Sequence, residues 1–200
     1  MVLIGRRWIL AGAVGAGTVA VATVAAATLG GKRAAPPVVI LDPTPVSLSG
    51  MAALVRVTPV KAAPAIGFVD AGGHAKTLAD YRGRGVVLNL WATWCGPCVA
   101  EMPSLVALAR HAAANGFVVL PVSIDHNGAT TVVPWLAKHG AADLPVLLDP
   151  DSAAAGMLGI RGVPTTFVID RAGNLRGRLE GGADWSTPEA RRVVGELVGA

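Results

Sequence analysis

Hydrophobic positions form one long unbroken stretch near the start of the chain and then short, separated blocks from about Val55 onward. Residues 8–31 carry no charge over 24 positions. As a helix such a stretch would reach about 36 Å, enough for a hydrocarbon core of roughly 30 Å. Residues 32–54 contain Pro36, Pro37, Pro43 and Pro45 with few charges, and read as an extended tether.

Beyond it the blocks take strand and helix lengths. Residues 66–69 and 76–78 flank Asp70-Ala71-Gly72-Gly73, a hairpin signal. Residues 86–91 are an apolar run typical of a strand buried on both faces. A helical pattern follows, with Leu105, Leu108 and Ala109 apolar, and ends at Asn115-Gly116. Residues 117–124 predict a second buried strand, 132–139 a helix, 145–148 a short strand and 152–158 a short helix. Residues 165–169 and 175–179 flank Arg171-Ala172-Gly173-Asn174 as a hairpin. Residues 187–198 predict a last helix, with Ser186 or Thr187 as cap, Pro188 in its first turn and Glu189 near its positive end. The order predicts an α/β domain over 55–200, a mixed sheet with helices on both faces. Its site should lie where the first central strand feeds the next helix.

Composition narrows the function classes. At 52% hydrophobic and 15% charged residues, the chain is too apolar for disorder. Its 25 Gly and 14 Pro show no triplet period, which excludes collagen. Two Cys cannot staple a disulfide scaffold, and a structural zinc site wants four spaced ligands. Before residue 55 there are four basic side chains and one acidic; after it there are 13 against 12. The excess positive charge is therefore N-terminal, and no nucleic-acid surface is expected.

Arg6-Arg7 ahead of the apolar run holds the N-terminus in the cytoplasm and sends the rest across. A signal anchor fits the length, a cleaved signal peptide fits Ala25-Ala26-Ala27, and the arginine pair partly resembles a twin-arginine export motif. A core helix of this length would need a polar face. Residues 1–31 are thus read as anchor or signal peptide, with the domain outside the cytoplasm, on the periplasmic side.

Cys95 and Cys98 are separated by two residues at the predicted start of a helix. Free backbone N–H groups and the helix dipole there stabilise a thiolate. Gly96-Pro97 suits the first turn, where proline's missing N–H is not needed. The pair can cycle between dithiol and disulfide; half a zinc site and an inert bridge are the alternatives. His74, His111, His126 and His139 are scattered without ligand spacing, so no metal is expected.

Trp91-Ala92-Thr93-Trp94-Cys95-Gly96-Pro97-Cys98 resembles the active site of the thioredoxin superfamily. Glu101-Met102-Pro103 after it is similar to the TlpA/ResA branch of membrane-anchored extracytoplasmic thiol–disulfide oxidoreductases. Ser123-Ile124-Asp125, Gly162-Val163-Pro164-Thr165, Asp170, Gly173-Asn174 and Gly181-Gly182-Ala183-Asp184-Trp185 extend the match over about 60–198, on the TlpA side of that branch. The resemblance implies a thioredoxin-like fold, a cis Pro164 facing the disulfide, and Val163 offering its backbone N–H and C=O to an extended client segment. Trp91 and Trp94 read as packing and shielding residues, Trp94 on the client side with Val163 and Pro164. It also implies that Glu101 manages the proton of the buried Cys98, since Asn89 stands where thioredoxins keep an acid and cannot titrate. A first-turn acid that only complements the helix dipole is the alternative. Pro103 is read as a structural kink, Trp135 and Trp185 as core or lid residues, and His126 as a solvated loop residue.

The expected function is a membrane-tethered disulfide reductase without organic cofactor or metal. Cys95 attacks a client disulfide and Cys98 resolves the mixed disulfide. The resemblance implies recharging by an integral-membrane donor, and clients that are apocytochromes or copper-site proteins of cytochrome oxidase assembly. A thiol oxidase or isomerase of the same fold, and a Cu(I) chaperone using both thiolates, are the rival readings. A peroxidase fits the cysteine context less well.

Overall fold

The computed structural model describes residues 54–199. The anchor or signal segment at 1–31, and the tether as far as residue 53, lie outside the described residues. No helix among the described residues is long and apolar enough to cross a membrane.

The sheet is organised by β4 (Gly85–Trp91), seven residues that are all buried. It pairs in parallel with β5 (Phe117–Ser123) and antiparallel with β7 (Thr165–Ile169). β8 (Asn174–Glu180) and β1 (Leu54–Ala62) extend one side. β6 (Leu147–Leu148), β2 (Gly67–Asp70) and β3 (Ala75–Thr77) extend the other, giving eight strands in the order β1-β8-β7-β4-β5-β6-β2-β3.

Alternation along β4 divides the core. Val87 and Trp91 face the long helices α1 (Gly96–Ala112), α2 (Ala129–Lys138) and α4 (Pro188–Val198). Val86, Leu88 and Leu90 face the other way, with Phe167, Leu120 and the short α3 (Ala153–Met157). The mixed sheet covered on both faces is the predicted thioredoxin-like architecture, though the second face carries just α3 and a 3-10 turn at Leu78–Tyr81 among the described residues. Gly85 lets α4 close on the sheet, because a Cβ there would lie 2.3 Å from the Val198 Cβ. Thr187 caps α4 by accepting from the Ala190 N–H at 3.1 Å.

β1 has no counterpart among the predicted strands. Pro59, joined to Thr58 by a cis bond, interrupts its pattern, and pairing with β8 shifts register between Arg56 and Lys61. A proline that cannot donate to a ladder is tolerated at such an edge, so the strand is set by β8 and not by its own periodicity.

Candidate active site

β4 carries the chain to the carboxyl edge of the sheet, and the next four residues turn into α1. Cys95 is the N-cap of that helix: its sulfur accepts from the Cys98 N–H at 3.2 Å. The two cysteines form a disulfide with Cα atoms 5.3 Å apart. Cys98 is fully buried and Cys95 is 5% exposed. The order of accessibility is as expected, but the sulfur of Cys95 is less open than its place at the helix start suggested. Trp94, 68% exposed, stands beside it.

The loop before β7 supplies the opposing wall. The Val163–Pro164 bond is cis, and the Val163 carbonyl oxygen lies 3.4 Å from the Cys95 sulfur. A disulfide sulfur has no proton to give; a Cys95 thiol could donate to this oxygen. Two bonds hold the loop: Thr165 Oγ1 donates to the Gly162 carbonyl at 2.7 Å and the Gly181 N–H to the Pro164 carbonyl at 2.9 Å.

On one flank of the turn, Asp125 at the end of β5 accepts from the Thr93 N–H (2.9 Å), the Thr93 hydroxyl (2.7 Å) and the Ser123 hydroxyl (2.6 Å). It ties the cysteine loop to the neighbouring strand. The sequence singled out Asp125 only as part of a resemblance, because nothing local couples it to Thr93.

On the other flank, Glu101 sits one helical turn after Cys98, at 4% exposure. Its Oε1 accepts from Asn89 Nδ2 at 2.9 Å, and its Oε2 from the Ala183 N–H and Trp185 Nε1 at 3.0 Å each. Burial pushes its carboxyl above the ordinary value, and the three donors pull back against that shift. The loop reaches Glu101 through Gly181, at φ +94°, and Gly182, whose missing Cβ would lie 3.2 Å from the Pro97 carbonyl. Ser104 bridges helix and loop: its hydroxyl donates to the Glu101 carbonyl at 2.7 Å, and it accepts from the Trp185 N–H at 3.1 Å. A cleft of about 670 Å³ opens between α1 and this loop, lined by Pro97, Glu101, Pro103, Gly182 and Asp184.

Trp185 is therefore more than packing. Fully buried, it donates to the acid beside the cysteines from 84 positions away. Its place after Gly181-Gly182 was the one signal in the sequence, a turn followed by an aromatic that carries a donor. Asn89, set aside as unable to titrate, touches the acid instead. Trp135 stacks on His139 at a ring distance of 4.0 Å and lies tilted against Trp91 at 5.0 Å. His126 is exposed, with Nδ1 2.8 Å from the Pro150 carbonyl oxygen. Pro103 lies inside α1. Among the described residues no three His, Cys, Asp or Glu side chains cluster as a metal site.

A model of the AhpC/TSA family matches residues 59–178. The thiol-disulfide oxidoreductase ResA of Geobacillus kaustophilus is 33% identical over 119 residues, 60% of this chain and 67% of that protein. A thiol:disulfide interchange protein of the thioredoxin family from Chlorobium tepidum superposes with a TM-score of 0.59 at 26% identity, over 69% of this chain and 96% of that one. The pneumococcal exposed lipoprotein thioredoxin of Streptococcus pneumoniae superposes at 0.55 with 27% identity, over 67% of this chain and 100% of its own.

Proposed function

The chain belongs to the AhpC/TSA family and is a thiol–disulfide oxidoreductase, and from that premise we propose that it reduces disulfides of client proteins outside the cytoplasm. The observation that carries the reading is the cysteine pair itself. Cys95, the more accessible, caps the helix by accepting from the Cys98 N–H, while Cys98 is closed off one turn inside, ahead of a buried acid.

In the forward direction the Cys95 thiolate attacks a client disulfide, forms a mixed disulfide and expels one client thiolate. Cys98 S–H then gives its proton to Glu101, and its sulfur attacks Cys95. The Cys95–Cys98 bond forms, the bond to the client breaks, and the second client sulfur leaves as thiolate. The chemistry uses sulfur and one carboxylate, with no organic cofactor or metal. Val163 and Pro164 align the client backbone, and Trp94 offers it an exposed aromatic face.

Export is supported by the uncharged stretch after Arg6-Arg7 and by a relative described as an exposed lipoprotein. The N-terminal segment tethers the domain to the membrane, and an integral-membrane donor returns the electrons. Clients are apocytochromes or copper-site proteins of cytochrome oxidase assembly, the second favoured by the TlpA-like final segment. Equilibrating the couple against glutathione tests the direction. A potential below about −200 mV is expected for a reductase, whereas a value near about −120 mV would make the protein an oxidase. The full chain should remain with membranes through a high-salt wash; a soluble form starting near Thr28 would show a cleaved signal.

A further inference from the structure

The network around Glu101 holds a polar atom that no partner satisfies. Asn89 is fully buried. Its Nδ2 donates to Glu101 Oε1 and to Thr166 Oγ1, both at 2.9 Å, while its Oδ1 is buried with no hydrogen bond. A buried unpaired carbonyl is unfavourable, since it has lost its water and gained no partner. Leaving one beside the acid one turn after Cys98 therefore calls for a reason.

The reason lies in what Glu101 must do when protonated. Oε2 already accepts two fixed donors, the Ala183 N–H and the Trp185 indole N–H. A carboxylic O–H placed there would point at donors, so the proton belongs on Oε1. Facing Oε1 is the Asn89 NH2, also a donor. Rotating the carboxamide by half a turn presents Oδ1 to that O–H. The Thr166 hydroxyl, now an acceptor, can then turn its own proton to Oδ1. An amide is the side chain that offers donor and acceptor from one planar group, and Asn89 on β4 lies opposite Thr166 on β7.

We propose that the Asn89 carboxamide is a positioning switch that turns over with the protonation of Glu101, donating to the carboxylate and accepting from the acid. The inference rests on the proton-accepting role given to Glu101 above. The groups that contact the Glu101 carboxylate are Asn89 on β4 and Ala183 and Trp185 of the loop; Cys98 precedes it by one turn on the same helix, and Asp184 lines the same cleft at the surface. No cation is among them. Switching the amide gives the acid's O–H an acceptor when it takes the Cys98 proton, while the carboxamide NH2 moves to the unpartnered position that Oδ1 holds beside the carboxylate.

Neutron diffraction from deuterated crystals tells a carboxamide nitrogen from its oxygen. In the wild type above the Glu101 midpoint, the Asn89 ND2 group is expected to face residue 101. In Glu101→Gln the Gln oxygen keeps the two fixed donors, its NH2 faces Asn89, and Asn89 should be turned with Oδ1 toward it. The same orientation in both crystals would overturn the switch. Asn89→Leu, which can neither donate nor accept, should slow the resolving step about tenfold and flatten its pH profile; an unchanged profile would also overturn it. Carbon-13 NMR of the Glu101 carboxyl separates the two readings. If that carboxyl keeps one protonation state across the redox cycle, its role as proton acceptor fails, while the amide orientation in Glu101→Gln still decides the switch.

Discussion

Asp125 and Glu101 flank the cysteine turn with equal burial, 4% exposed each, and each accepts three hydrogen bonds from protein donors. Their donors are attached differently. Asp125 takes two of its bonds from Thr93, inside the cysteine loop, so it fixes backbone. Glu101 stands on the helix that carries Cys98, and its donors come from β4 and a loop more than 80 positions away. There desolvation outweighs the donors and raises the carboxyl. Equal burial and equal numbers of partners thus do different things: Asp125 pins the backbone of the cysteine loop, and Glu101 is a raised carboxyl on the cysteine helix, the setting for its proposed proton transfer.

The strongest test separates the cysteines that the two flanks serve. Cys98→Ser should abolish turnover and accumulate mixed disulfides with clients, visible on non-reducing gels and lost on adding reductant. Cys95→Ser should trap nothing. Equal trapping by both variants would erase the distinction between the flanks.

Glu101→Gln should slow the resolving step about 100-fold, the lower range for a general base, while the first attack by Cys95 remains fast in stopped-flow traces. The same variant carries a stability signature. Because the folded value of Glu101 lies above 4.5, the folded state binds more protons than the unfolded chain between that pH and the raised value. Wild-type stability therefore falls as pH rises through this window, and the loss is complete above the folded value. Urea titrations should show the wild type losing ground to Glu101→Gln from about pH 4.5 upward. A constant difference from pH 4 to 8 would contradict the raised carboxyl.

Asp125→Ala should show the opposite balance. It strands the half-buried Thr93 N–H and hydroxyl, and a loss of about 1–2 kcal/mol is expected in denaturant titration of the oxidised protein. Trp185→Phe is the mildest of these changes. It removes one donor from Glu101 while keeping most of the ring volume, so the midpoint of the resolving step should move upward in pH with only a few-fold change in rate. An unmoved midpoint would return Trp185 to a packing role.

Most elements were legible because their cues are local. The largely apolar run of β4, the Cys-Gly-Pro-Cys turn and the Asp-Arg-Ala-Gly-Asn hairpin each announce themselves within a few positions. β1 was not legible, since Pro59 hides its pattern and its partner β8 lies about 120 residues further on. The cysteines, Glu101, Val163 and Pro164 were singled out from motif and resemblance. The donors that give Glu101 its character are not legible there: Asn89 reads as a side chain that cannot titrate, and Trp185 as core or lid.

By itself the sequence determined which residues could do chemistry and where strand turns into helix, because periodicity, capping and the two-residue cysteine spacing act over one or two turns of chain. Only the tertiary structure decided the environment of those residues. Burial and hydrogen bonding depend on what the folded sheet brings alongside: Val163 at 3.4 Å from Cys95, Asp125 on Thr93, and Asn89, Ala183 and Trp185 on Glu101. Desolvation and donor geometry are properties of packed neighbours, and those neighbours lie between 12 and 84 positions away along the chain.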